Sequence, residues 1–147
     1  MYELKYPLPS LVQEDDGTNL PLDHQRVISR LTVCLGVLYY FEKKITLEPL
    51  PETPLGEGPG HQVPDVMLYD EQSEQTRVII EVCNSRTFNY DLRKIIRLIE
   101  EDDYGILEGF VYNYKTREWL RYRKGDGGAA TASSFSEVMQ VEMGGFV

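Results

Sequence analysis

Two short apolar runs joined by a polar connection constrain the fold of this chain more than any other feature. The stretch VPDVMLYDEQSEQTRVIIEVCNS covers residues 63–85, and Val, Ile, Leu and Met make up most of its two apolar runs. Polar residues between two such runs predict a β-hairpin with a long loop. Each run also carries an acid: Asp65 opens the first, and Glu81 lies inside the second. A strand that is buried on both faces offers no ordinary place for a carboxylate.

The register of this hairpin decides whether the two acids meet. A hairpin folded symmetrically about Ser73 pairs Asp65 directly with Glu81. Carboxylates directly across a sheet repel each other, and the pKa of one of them should be strongly raised. The alternative is that Asp65 merely begins its strand after Pro64, while Glu81 points to solvent from a sheet edge.

A divalent cation would explain a carboxylate pair of this kind. Mg²⁺ binds one or two carboxylates, keeps several waters and leaves positions open for a phosphate. Such an ion polarises a phosphoryl oxygen and generates a hydroxide nucleophile from bound water. The pattern therefore predicts a cation site at Asp65 and Glu81, with Mg²⁺ or Mn²⁺ as the cofactor.

Helical and extended periodicities alternate along the rest of the chain. The elements predicted outside the hairpin are a helix from Asp23 to Tyr39, a strand within 44–51, a helix over 90–104 and strands within 106–114 and 118–124. The order helix, strand, strand, strand, helix, strand, strand predicts a mixed α/β (α+β) fold, in which helices cover a small central sheet.

The length of 147 residues fits a single domain, 1–147. Residues 1–21 contain three prolines and a polar run, which indicate a loose lead-in. The predicted core spans 20–124. Residues 125–147 begin with Gly, Ala, Ser and Thr, and this composition predicts a flexible tether that ends in a short apolar tail.

Charge and cysteine content limit the partners and the compartment. The formal net charge is -9, so contact with nucleic acid requires a local basic patch, a bound cation or a partner chain. Cys34 and Cys83 lie in apolar runs and are expected to be reduced core thiols of a cytoplasmic protein. No signal peptide is recognised, and the most apolar window is too short to span a bilayer, so no membrane partner is expected.

The Pro-Asp pair at 64–65, followed after one loop by IIEVC, resembles the signature of the PD-(D/E)XK nuclease superfamily, which places Pro-Asp on one strand and Glu-X-Lys on the next. The order of elements resembles the same core over roughly residues 20–124. The segments HQRVISRL at 24–31, VIIEVCNSRTFNYDLRKIIRLIE at 78–100 and GILEGFVYNY at 105–114 look like its branch of small restriction endonucleases. The resemblance implies a restriction-endonuclease-like fold and a metal-dependent endonuclease that acts on nucleic acid, with DNA as the first expectation.

Carried over by position, the resemblance makes Asp65 and Glu81 the metal-binding and catalytic carboxylates, with the main-chain carbonyl of Val82 as a third ligand. By analogy with related folds, it also allows a homodimer. The competing interpretation is a degenerate, non-catalytic nuclease-fold module that binds nucleic acid or assembles with protein partners.

The signature departs at Cys83, where the superfamily has lysine. In the branch just named, the lysine comes from the following helix, which here implies Lys94 as the catalytic residue, with Arg93 and Arg97 as the next candidates. A long lysine side chain can reach a carboxylate pair from a helix. The alternative is that Asp91 and Lys94 form an ordinary i,i+3 surface pair.

One stretch, YKTREWLRYRK at 114–124, interleaves basic and aromatic residues. This combination suits phosphate contacts and base stacking. It predicts Arg117, Arg121, Arg123 and Lys124 as nucleic-acid-binding residues, and the alternative is a strand hairpin with a solvated basic face.

Overall fold

The computed structural model describes residues 20–147. Of the lead-in predicted for 1–21, residues 1–19 lie outside the described residues. Helix α1 covers Leu20–Gly36 and continues into a π-helical turn, Val37–Phe41. It begins before the predicted start at Asp23, which is buried inside the helix. The elements that follow are β1 (Glu48–Pro51), β2 (Val66–Asp70), β3 (Gln75–Cys83), α2 (Phe88–Glu100), β4 (Glu108–Asn113) and β5 (Glu118–Arg123).

The five strands form one mixed sheet in the order β1-β2-β3-β4-β5. Strands β3 and β4 are parallel and are connected through α2, whereas the other neighbours are antiparallel. The predicted mixed α/β fold and the order of these elements are confirmed. Because β3 and β4 are parallel, the loops that follow them leave from the same edge of the sheet, which we call the site edge.

Each face of the sheet is covered by one of the two long helices. Helix α1 packs on one face and α2 on the other, and every face buries alternate residues of the central strands. The side chains that pack with α1 are Val66, Leu68, Val78, Ile80, Val82, Phe110 and Tyr112. The side chains that pack with α2 are Met67, Ile79, Cys83, Val111 and Tyr122. Burial of an aliphatic or aromatic side chain stabilises the fold by roughly 1.5–3 kcal/mol.

Close packing of α2 on β4 depends on Gly109. A Cβ atom at this position would lie 2.4 Å from Cγ2 of Ile95, inside any normal contact distance. The absence of a side chain lets α2 approach the sheet closely. This approach fixes the height of Lys94, the residue that precedes Ile95, above β3.

The C-terminal segment differs from the flexible tether and tail predicted for 125–147. It contains β6 (Phe135–Ser136), β7 (Val141–Glu142) and a 3₁₀ turn (Gly144–Phe146). Three of its apolar side chains, those of Met139, Met143 and Phe146, are buried in the core on the α1 side.

Main-chain hydrogen bonds explain why the composition of this segment misled the prediction. Thr131 pairs with Arg121 of β5 through two of them, at 2.7 and 2.9 Å. Main-chain hydrogen bonds of this kind leave no apolar periodicity in the sequence. The predicted core of 20–124 therefore ends before this segment and omits its buried side chains. Among residues 20–147, no helix is both long enough and apolar enough to cross a membrane.

Candidate active site

The hairpin register brings Asp65 and Glu81 to the site edge. Val66 pairs with Ile80 and Met67 pairs with Ile79, which is the register expected for a loop that is symmetric about Ser73. The register shifts between Leu68 and Tyr69, at a point remote from the acids. Asp65 directly precedes β2, and its Oδ2 accepts a hydrogen bond of 2.7 Å from the main-chain N–H of Val82. Its carboxylate therefore continues the ladder between β2 and β3.

Glu81 is a buried acid with an incomplete set of partners. Its residue surface is 5% exposed, and its Oε2 lies 3.2 Å from Nζ of Lys94. Its Oε1 is buried and has no hydrogen-bond partner among the described residues. Burial, and then the nearby Asp65 carboxylate, raise the pKa of Glu81 to about 7, although Lys94 opposes the shift. An acid so placed is poised to bind a cation or a proton.

Lys94 reaches the carboxylates from α2. Its Nζ lies between Glu81 Oε2 and Asp91 Oδ1, at 3.2 and 3.7 Å, and its side chain is largely buried. Burial alone would lower the pKa of Lys94, but Glu81 and Asp91 outweigh it and raise that pKa. The ammonium is therefore charged at neutral pH. Asp91 and Lys94 do form the i,i+3 pair considered from the sequence, and Lys94 contacts Glu81 as well.

Arg93 and Arg97, the next candidates for the basic residue, are both exposed. Neither forms an ion pair within residues 20–147. The geometry thus brings Lys94, and not these two arginines, to the carboxylates.

His24 joins this group, although it is not among the site residues predicted from the sequence. Its Nε2 lies 3.2 Å from Asp65 Oδ2, and the bond to Asp65 raises the pKa of His24 against the opposing effect of burial. With an ionised Asp65 as acceptor, Nε2 carries the proton and donates it. The available signal was spacing, because His24 stands three and seven residues before Val27 and Leu31 on the buried face of α1.

Cys83 does not take over the role of the missing lysine. Its side chain is buried on the α2 face. Burial, followed by the negative charges of Asp91, Glu81 and Asp65, raises the pKa of Cys83 to about 12. The thiol therefore stays neutral, and neither a cation nor a reactive thiolate is present at this position.

A cavity of about 310 Å³ opens at the site edge. It is lined by His24, Asp65, Glu81, Val82, Cys83, Asn84, Thr87, Asp91 and Tyr114. The main-chain N–H of Val82 points toward Asp65, and the N–H and C=O of one strand residue point to the same side. The carbonyl of Val82 is thus directed toward the side of the carboxylates.

These donors fit a hard divalent cation that needs few protein ligands. No group of three or more His, Cys, Asp and Glu residues within 20–147 is arranged to hold a metal ion. Two carboxylates and a carbonyl nevertheless match Mg²⁺ or Mn²⁺, because Mg²⁺ retains several waters when it binds to protein. The unpartnered Glu81 Oε1 is the oxygen that such an ion would satisfy.

The four predicted nucleic-acid-binding residues lie at different points along β5 and the turns that flank it. Arg117 is exposed in the turn before β5, at the site edge. Arg121 is buried and donates hydrogen bonds to Ser133 and to the carbonyl of Phe135. Its guanidinium therefore does not face solvent.

The other two residues lie at the opposite end of β5. Arg123 pairs with Asp126 and Glu137, so its charge is neutralised within the chain. Lys124 is exposed next to it, about 20 Å from the site edge for a strand of this length.

Comparison with known proteins supports the architecture. No protein-family model matches the sequence, and no curated protein does. An inferred nuclease belonging to DUF820 from Anabaena variabilis ATCC 29413 superposes with a TM-score of 0.58 at 12% identity, over 77% of this chain and 69% of that chain. DrdV, solved by cryo-electron microscopy in complex with DNA, superposes with a TM-score of 0.50 at 14% identity. That match covers 88% of this chain but 11% of DrdV.

At these identities the likeness concerns the fold, which agrees with the element order and with the Pro-Asp and Glu81 strands. The chain therefore has a restriction-endonuclease-like fold.

Proposed function

We propose that this chain is a metal-dependent endonuclease that hydrolyses phosphodiester bonds of nucleic acid, with DNA as the first substrate to test. One observation carries the proposal: Asp65, Glu81 and Lys94 converge beside one cavity, and the buried Glu81 Oε1 lacks a partner. Asp65, Glu81 and the carbonyl of Val82 would hold Mg²⁺ or Mn²⁺. When bound, such an ion polarises a phosphoryl oxygen and acidifies a water molecule.

The protein side chains have separate roles in this proposal. Lys94 holds a positive charge beside the carboxylates, where it orients the attacking water or stabilises charge that develops on the phosphate. His24 and the Val82 N–H hold Asp65 Oδ2 and so fix the orientation of that carboxylate. Of the basic residues near β5, Arg117 is exposed at the site edge and can contact phosphate there.

A second candidate is a non-catalytic nuclease-fold module that binds nucleic acid. The specific observation in its favour is Cys83, whose neutral thiol occupies the position of the superfamily lysine. A neutral thiol does not stabilise developing negative charge as an ammonium does. The retained carboxylate pair and the contact of Lys94 with Glu81 favour catalysis instead.

The test combines metal binding with cleavage. Mn²⁺ is titrated by calorimetry into the wild type, Asp65→Ala and the control Asp102→Ala, which removes an exposed acid at the end of α2. The three proteins are then assayed for nicking of supercoiled plasmid. We expect binding and nicking in the wild type and in Asp102→Ala, and loss of both in Asp65→Ala. Metal binding and nicking that survive in Asp65→Ala would refute the proposed site.

A further inference from the structure

The outer face of α2 carries a basic stripe beside the candidate active site. The stripe consists of Arg86, in the turn before α2, and of Tyr90, Arg93 and Arg97 on the helix. Steps of three and four residues place the last three side chains along one helical face. Tyr90 is 61% exposed, and all three arginines are exposed as well.

The arginines of this stripe are not neutralised within the fold. None of the three forms an ion pair to an acid within residues 20–147, in contrast to Arg121 and Arg123, which do. Arg93 and Arg97 are also four residues apart on the helix, and like charges at this spacing are destabilising. Within the part of the chain that the structure describes, neither arginine of this repulsive pair forms an ion pair, although the chain carries a net charge of -9.

The stripe lies directly next to the catalytic candidates. Tyr90 is four residues before Lys94, so their side chains are neighbours on the helix. Asp91, which directly follows Tyr90, lines the cavity. The turn that carries Arg86 is held in place by a hydrogen bond of 2.8 Å from its main-chain N–H to Asn84 Oδ1. A polyanion bound along the stripe would therefore extend into the cavity.

We propose that this stripe binds a single-stranded segment of nucleic acid and directs it to the carboxylates, an inference that rests on the proposed function for the nature of the ligand. An exposed tyrosine offers a stacking surface to a base, and single strands present unstacked bases. The flanking arginines supply positive charges that can neutralise phosphates next to a base stacked on Tyr90. From Tyr90 to Arg97 the helix rises about 10 Å, enough for two or three nucleotides.

The proposal is tested by fluorescence anisotropy in EDTA, where no cleavage occurs. The probes are labelled 12-nucleotide strands of deoxythymidine and of uridine, and a labelled 12-base-pair duplex. The wild type should bind both single strands more tightly than the duplex. Tyr90→Ser should weaken single-strand binding about tenfold, whereas Tyr90→Phe, which keeps the ring, should bind as the wild type does.

The charged residues of the stripe are tested by charge removal. Arg93→Gln should weaken binding and reduce the salt dependence by about 0.7 in slope, as expected for one phosphate contact on a single strand. The matched control is Lys43→Gln, which removes an exposed cation from the loop after the π-helical turn Val37–Phe41 and should leave binding unchanged.

Two results would overturn the inference. One is that Tyr90→Ser and Arg93→Gln bind the single strands as Lys43→Gln does. The other is that polyglutamate displaces the strands from wild type and Tyr90→Ser with equal ease, because the stripe would then bind acidic polymers without stacking. Binding is measured without metal, so a protein that binds through Tyr90 but never cleaves refutes the proposed function alone.

Discussion

Two buried glutamates on neighbouring parallel strands differ in their hydrogen-bond partners, although burial raises the pKa of both. Glu108, on β4, is fully buried, and its Oε1 accepts a hydrogen bond of 2.5 Å from the Ser136 hydroxyl. Its Oε2 accepts a bond of 2.8 Å from the main-chain N–H of Glu137. Glu81, on β3, has one lysine contact, an acid as neighbour and one oxygen with no partner among the described residues.

The difference is the one expected between an acid that stabilises the fold and an acid that binds a ligand. Buried polar groups are almost always hydrogen-bonded, and those that are not call for an explanation. Glu108 ties the C-terminal segment to the sheet, so its environment is complete without a ligand. Glu81 is placed where its charge destabilises the fold, which is reasonable when the site binds a cation.

The largest expected effect concerns nuclease activity. Glu81→Gln should lower kcat/KM for plasmid nicking by at least about 100-fold, because it removes a charged ligand at the reacting centre. Glu108→Gln should stay within about twofold, because Glu108 lies at the opposite end of the sheet. Equal losses in the two variants would remove the distinction between the two glutamates.

The second effect is a gain of stability at alkaline pH. Because the pKa of Glu81 is raised from 4.5 to about 7, the folded state disfavours the ionised form, and stability falls as pH rises from 4.5 through 7. Glu81→Gln should therefore be more stable than the wild type at pH 8, on the order of 2 kcal/mol, and about equal to it at pH 4.5. Urea denaturation at both pH values measures this. A gain of the same size at pH 4.5 would contradict the electrostatic cause.

The third effect is a loss of stability at the other glutamate. Glu108→Gln replaces an acceptor oxygen with an NH₂ group, so the main-chain N–H of Glu137 or the Ser136 hydroxyl loses its acceptor. The expected cost is about 1–2 kcal/mol in the free energy of unfolding at pH 7.5. Glu118→Gln, an exposed change on β5, is the control and should stay within about 0.5 kcal/mol of the wild type.

The smallest effect concerns the positioning of Asp65. His24→Ala removes a donor to Asp65 Oδ2 but leaves the Val82 N–H in place. Mn²⁺ affinity should fall about tenfold, and His24→Gln, whose side-chain amide can reach the position of Nε2 and donate a hydrogen bond, should recover part of it. A uniform loss of thermal stability with unchanged Mn²⁺ affinity would show that His24 only packs.

Local patterns were sufficient to predict the sheet and the carboxylates. Strand alternation and a symmetric hairpin placed Asp65 and Glu81 together, and the observed register is the one expected. Helical periodicity gave α2, and from there the resemblance singled out Lys94, which lies 3.2 Å from Glu81. All of these relations span short distances along the chain.

Contacts between distant segments could not be predicted in this way. His24 meets Asp65 across 41 residues, and Ser136 meets Glu108 across 28, without any periodic signal that links them. The composition of residues 125–134 indicated a flexible tether, but Thr131 within it forms two main-chain hydrogen bonds to Arg121 of β5. The basic residues at 121 and 123 looked solvated by alternation alone, but this same C-terminal segment supplies partners for both.

Calorimetric titration of Mn²⁺ at pH 8 into wild type, Glu81→Gln and Glu108→Gln tests the central claim most directly. The account predicts that the wild type and Glu108→Gln bind with the same affinity, and that Glu81→Gln loses binding, because Glu81, unlike Glu108, has an oxygen left for a cation. Undiminished binding by Glu81→Gln would contradict the account.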